Sequence, residues 1–184
     1  MRSKARTGSL ATDSGLHIAA GKSTTIHEYR LIIDDQFKVS VYSAPGQRVY
    51  LFEEHLKVDE SSGRFKKTHV LRGPDRRDHF QIVPVSRFPL PSFDVVEYGK
   101  KVGAIFGLTL LRTRYRFSFA DGTTWEVRMP LFAVRFKIWA GRTQVGRIRI
   151  FREGEWGLAY FGSEAPARFI ACISTLVMAR RKSL

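Results

Sequence analysis

The chain has 184 residues, 43% apolar and 12% aromatic, with a formal net charge of +14. That apolar share supports one sizeable core and excludes disorder throughout. A lone cysteine, Cys172, excludes an internal disulfide and fits a reducing cytosol, so a cytoplasmic protein is expected.

Residues 1–26 are basic and rich in Ser, Thr, Gly and Ala, without a sustained period, and read as a flexible basic N-terminal tail. No apolar stretch of signal-peptide type follows the basic start. The run from Gly15 to Gly21-Lys22-Ser23 imitates a phosphate-binding loop, but five residues separate the glycines where that motif has four. From residue 27 onward a single domain is expected.

Tyr29 opens a series of short segments of period two, bounded by turn residues. Strands are expected at 29–33 and 37–42 around Asp34-Asp35, then at 48–53, 64–71 and 80–84. Pro84, Pro89 and Pro91 predict a connection or an irregular crossing over the next ten residues. The clearest patterns follow at 93–97, 102–106, 114–119, 124–129, 134–139, 145–151 and 156–161. About ten to twelve antiparallel strands result.

Residues 169–179 are apolar on every side, so this segment must be wrapped by protein or lipid if helical. Eleven helical residues rise about 17 Å, short of the roughly 30 Å hydrocarbon core of a bilayer. The expectation is a closed or nearly closed antiparallel β-barrel around a hydrophobic helix at about 165–180. Insertion of that helix into lipid without spanning it is the other reading.

Three stretches echo one another: Gly46-Gln-Arg-Val49, Gly99-Lys-Lys-Val102-Gly103 and Gly141-Arg-Thr-Gln-Val145-Gly146. Glycine one place into a strand points to a bulge or to close approach of something large, such as a central helix.

This pattern of turn, Gly, basic residues, Val-Gly-x-Ile strand, further strand pairs and a terminal apolar helix resembles the tubby C-terminal-like superfamily. That group includes the phospholipid scramblases and the LURP-one-related proteins. The matching stretches are 93–106, 114–129, 134–151 and 165–179, most of the second half of the chain. The resemblance implies a twelve-stranded closed barrel around a central helix. It also implies lipid-related binding, since tubby-type domains hold phosphoinositide headgroups with basic side chains. The scramblases' palmitoylated cysteine-rich segment has no counterpart here, and neither has an acidic calcium loop, so those properties do not transfer. No family residue maps singly onto this chain.

Residues 98–184 carry 16 basic and 5 acidic groups. A field of that sign attracts anionic surfaces. If the aromatic and aliphatic residues of the later strands face inward, alternation turns Arg114, Arg116, Arg128, Arg135, Lys137, Arg147 and Arg149 outward on one face. Trp139 falls on the same side. Like charges opposite one another destabilise a sheet, and only Glu126 and Glu153 are close enough in sequence to compensate. An anionic ligand would compensate, and the arginine excess favours phosphate because a guanidinium binds two oxygens at once.

The five histidines lack metal-ligand spacing, and there is no Gly-x-Ser-x-Gly elbow. No catalytic residue, metal or cofactor is therefore expected. The expected function is a non-enzymatic module for anionic phospholipid headgroups, peripheral to a membrane. The alternative is a nucleic-acid-binding β-barrel using the same face, with Trp139 available to stack or to sit at an interface.

Overall fold

The computed structural model describes residues 25–181 except for 37, 44–45, 59–62, 64, 87–88, 112, 131–132, 153 and 163–166. Of the tail expected over 1–26, residues 1–24, with the loop-like run ending at Ser23, lie outside the described residues, whereas Ile26 already belongs to the first strand; Glu153 also lies outside them.

Twelve strands follow in order: β1 (Ile26–Ile33), β2 (Val39–Ser43), β3 (Arg48–Val58), β4 (Phe65–Arg72), β5 (Asp78–Ser86), β6 (Ser92–Glu97), β7 (Lys100–Gly107), β8 (Arg114–Phe119), β9 (Thr124–Arg128), β10 (Arg135–Ala140), β11 (Thr143–Arg152) and β12 (Glu155–Phe161). Each pairs antiparallel with its chain neighbours, and β1 pairs with β12 to close the barrel. Closure leaves no free sheet edge between first and last strands. The twelve strands alternate in direction, so their connections alternate between two ends. The β1–β2, β3–β4, β5–β6, β7–β8, β9–β10 and β11–β12 connections share one end, called here the hairpin end. The helix α1 (Ala167–Arg181) enters at the other.

Alternation holds along the later strands. Tyr115, Phe117 and Phe119 of β8, Trp125 and Val127 of β9, and Phe136 and Ile138 of β10 are all buried. They pack with α1, in which every residue from Phe169 to Met178 is buried. The oily segment is therefore caged by strands rather than set in lipid, and burial on all sides explains its lack of an amphipathic stripe. Each Ile, Leu or Phe so enclosed contributes about 1.5–3 kcal/mol. At the helix-entry end, Arg168 Nη1 lies 2.6 Å from Asp121 Oδ2 and its guanidinium sits 4.8 Å over the Phe119 ring. Phe169 packs against Tyr160 and Trp125, with ring centroids 4.7 and 5.4 Å away.

The internal echo is structural. The β2–β3 register passes from Val41↔Tyr50 to Tyr42↔Arg48, so Val49 is the extra residue of a bulge. Val102 is skipped in the same way between β6 and β7, and Val145 between β10 and β11. All three valines pack partly against the core. The extra residue raises local twist and curvature, which a sheet needs in order to close. The two glycines meet different neighbours. A Cβ on Gly146 would run into the Phe169 ring of the helix and lie 2.9 Å from the Ala159 carbonyl. On Gly103 it would lie 2.6 Å from both the Phe119 ring and the Ser118 carbonyl, against the next strand rather than the helix.

Most strand ends fall within three residues of expectation, and for two of the strands that run longer the register gives the reason. Strand β3 continues five residues beyond 53, because its outer half pairs with β4 as far as Val58↔Phe65. Strand β5 runs through Pro84, which pairs with Phe93. The β4–β5 ladder reaches only to His69↔Ile82, so the missing N–H of Pro84 costs no bond on that side.

Candidate anion-binding face

Strands β8 to β11 position the basic residues. Their inward faces are fixed by the core, so Arg116, Arg128, Arg135, Lys137, Arg147 and Arg149 are exposed and Arg114 half-buried. Register then decides which cations meet. Arg114 is directly opposite Arg128, Arg135 opposite Arg149, and Lys137 opposite Arg147. Such partners carry their side chains about 5 Å apart at Cβ, and like charges there repel. Three cross-strand pairs of the same sign therefore stand on adjoining strands.

Acidic neighbours offset part of this. Glu126 Oε1 accepts from Arg116 Nε at 3.0 Å and Nη2 at 2.7 Å, and Glu126 lies 4.0 Å from Arg114. Arg147 reaches Glu28 at 3.4 Å. Arg149 lies 5.2 Å over the Phe151 ring, and Lys137 6.0 Å from the Trp139 ring. Among the described residues, Arg128, Arg135 and Arg149 have no carboxylate within ion-pair distance. Trp139 is half-exposed opposite Glu126, which in turn is opposite Arg116, so the tryptophan borders the face towards the helix-entry end.

Closure of the barrel adds two residues that the sequence alone did not bring to this face. Arg30 of β1 is opposite Gly157, which is opposite Arg149. One row across four strands thus reads Arg30, Gly157, Arg149, Arg135. The adjacent row reads Glu28, Ala159, Arg147, Lys137. Arg30 Nε binds Glu155 at 2.7 Å and Arg152 binds it at 2.6 Å. These hydrogen bonds, Arg30 first, hold the Glu155 carboxyl below its usual range. No local pattern links β1 to β11 across more than a hundred residues, so only barrel closure could have revealed the row.

Several acidic residues elsewhere are engaged. Arg72 bridges Glu53 at 2.7 Å and Asp78 at 2.9 Å, His55 Nε2 lies 3.1 Å from Glu53, and Lys67 binds Glu54 at 2.7 Å. Among the described residues no three His, Cys, Asp or Glu side chains converge as metal ligands would. Cys172 is wholly buried in α1, and burial pushes its thiol pKa far up, away from the thiolate that nucleophilic chemistry requires.

No family model matches the chain, and no curated protein does. Among solved structures it is similar to the Arabidopsis thaliana protein AT5G01750, known from an X-ray structure. The two share 10% identity with a TM-score of 0.57, over 86% of this chain and 91% of that one. At that identity the likeness is one of fold: the barrel and its helix are a shared architecture, and the arginine face is a property of this sequence. Guanidinium groups held by rigid strands at cross-strand spacing can bracket a group with several anionic oxygens, each fork supplying two donors.

Proposed function

We propose that this barrel is a binding module, a divergent relative of the LURP-one-related and tubby-like proteins, that engages anionic phospholipid headgroups at a cytoplasmic membrane surface. The observation that carries the reading is the register of the basic face. Arg135 opposite Arg149, Arg114 opposite Arg128 and Lys137 opposite Arg147 are arrangements that a phosphate would relieve. Attraction to an acidic bilayer contributes about 1 kcal/mol per basic residue near the surface. Most aromatic side chains of β8 to β10 lie in the core, and the exposed rings beside the cations, Phe106, Trp139 and Phe151, stand one each on β7, β10 and β11, a sparse set for a run of stacked bases.

The test is flotation of the full chain with phosphatidylcholine vesicles, with and without phosphatidylserine or phosphatidylinositol bisphosphate, beside gel shifts on RNA and DNA. Arg135→Glu with Arg149→Glu should weaken binding to acidic vesicles about 30-fold or more, the effect of roughly 2 kcal/mol. Its thermal midpoint should hold, because the two glutamates still oppose each other but now stand among the remaining cations of the face. Arg76→Glu with Arg77→Glu, the same charge change on the turn between β4 and β5 at the other end, should have a smaller effect. Equal loss in both double variants would mean that net charge alone drives binding. Retention by nucleic acid with none by vesicles would reassign the face.

A further inference from the structure

The exposed apolar side chains are gathered at one end of the barrel. Among the described residues fourteen large hydrophobic side chains are exposed, and eleven of them stand on or beside the six connections of the hairpin end. Among the described residues the other end and the strand walls carry only Ile26, Tyr98 and Trp139. Every connection of the hairpin end contributes at least one. Phe65 is 73% exposed beside the β3–β4 connection, Val85 63% beside β5–β6, and Leu110 and Leu111 70% and 69% between β7 and β8. Val134 at 56% precedes β10, and Phe151 at 54% closes β11.

Alternation does not explain this, because a residue whose side chain turns outward on a barrel wall is ordinarily polar. Arg116, Lys137 and Arg147 obey that rule midway along their strands, and the apolar exceptions begin where the strands run out. Cations accompany the apolar tips. Arg114 and Arg135 begin β8 and β10, Arg128 ends β9, Arg149 lies three residues before the end of β11, and Lys66 and Lys67 follow Phe65. The β1–β2 connection, with Asp34 and Asp35, is the acidic corner of this end.

We propose that the hairpin end is a membrane-insertion rim, which docks the barrel end-on into an anionic bilayer surface. This rests on the lipid reading above and adds its geometry: the arginine face supplies headgroup contacts while exposed side chains such as Phe65, Val85, Leu110 and Leu111 enter the acyl boundary. A bilayer is the occupant that the pattern fits. The apolar groups stand in small clusters distributed over six connections, as where Val58 is opposite Phe65, with cations interspersed, rather than in one patch of the kind a folded partner covers. A fluid surface takes up separated apolar tips individually, and its anionic headgroups complement the cations between them. The acidic β1–β2 corner tilts the axis, lifting that corner while the side carrying Leu110, Leu111 and Val134 sinks deeper.

Depth is measured directly by tryptophan quenching. Leu110→Trp and, as the control at the other end, Tyr98→Trp are mixed with vesicles of phosphatidylcholine and phosphatidylserine brominated on the acyl chains. Leu110→Trp should shift to the blue and be quenched beyond wild type, and Tyr98→Trp should not. Leu110→Ser with Leu111→Ser should weaken vesicle affinity about tenfold per leucine, and the loss should persist at 0.5 M NaCl, where the contribution of the arginines is screened. Wild-type flotation with an unquenched Leu110→Trp and an unaffected double serine variant would overturn insertion and leave headgroup binding standing. Failure of wild type to float at all would overturn both. A wild-type dimer dispersed by the double serine change, with no vesicle binding, would assign the rim to self-association instead.

Discussion

Gly146 sits where a strand of the wall touches the pillar of the core. Its hydrogen faces the Phe169 ring, and the Ala159 carbonyl closes the other side. Both obstacles are stiff, one an aromatic ring packed between Tyr160 and Trp125, the other backbone. Gly146→Ala should therefore destabilise the protein by about 1–3 kcal/mol, as overpacking does. In equilibrium urea unfolding the midpoint should fall with an unchanged slope. An unaltered midpoint would mean that the helix yields readily at this contact. Ser174 is fully buried in α1 and its hydroxyl has no hydrogen-bond partner among the described residues, whereas Thr175 donates to the Ala171 carbonyl at 2.9 Å.

At the scale of elements, the helix is moored by a charge. Asp121, in the β8–β9 turn, accepts from Arg168 at 2.6 Å and from the Thr123 amide at 2.9 Å. The Arg168 hydrogen bond is the chief cause of a carboxyl pKa lowered to about 2. A depressed folded pKa contributes stability above the unfolded value near 4 that is lost as pH falls through the folded one. The aspartate side chain is half-exposed, so the contribution is that of a surface pair, about 0.2–1 kcal/mol. Asp121→Asn should thus melt lower than wild type at pH 6, and the gap should close between about pH 4 and pH 2. A gap independent of pH would assign the effect to the turn rather than to the ion pair. Legibility in the sequence also divides at this scale. The later strands and the helix could be read because inward and outward residues alternate without exception in β8 to β10, and because no amphipathic helix is oily all round. Strand β5 could not be bounded, since the sequence does not show that the β4 ladder stops before Pro84. The Arg30 row could not be found either, because barrel closure, a nonlocal event, creates it.

For the whole molecule, the distribution of charge sets a cost that the fold must carry. A net +14, most of it carried by residues 98–184, works against compactness, and the opposed cations of β8 to β11 add short-range repulsion to that general field. Both terms fall with ionic strength, the general one most completely, since the Debye length shrinks from about 10 Å at 0.1 M to about 3 Å at 1 M. Ion pairs such as Arg116 with Glu126 and Arg30 with Glu155 weaken over the same range. Their carboxylates are fewer than the cations around them, so repulsion is the larger quantity being screened. The thermal midpoint should accordingly rise by several degrees between 0.05 and 0.5 M NaCl. Arg149→Glu, which turns the opposition of Arg135 and Arg149 into an ion pair, should begin from a higher midpoint and respond less to salt. A wild-type midpoint that falls with added salt would show that attractive pairs dominate the surface, and would remove the energetic reason for an anion to settle on this face.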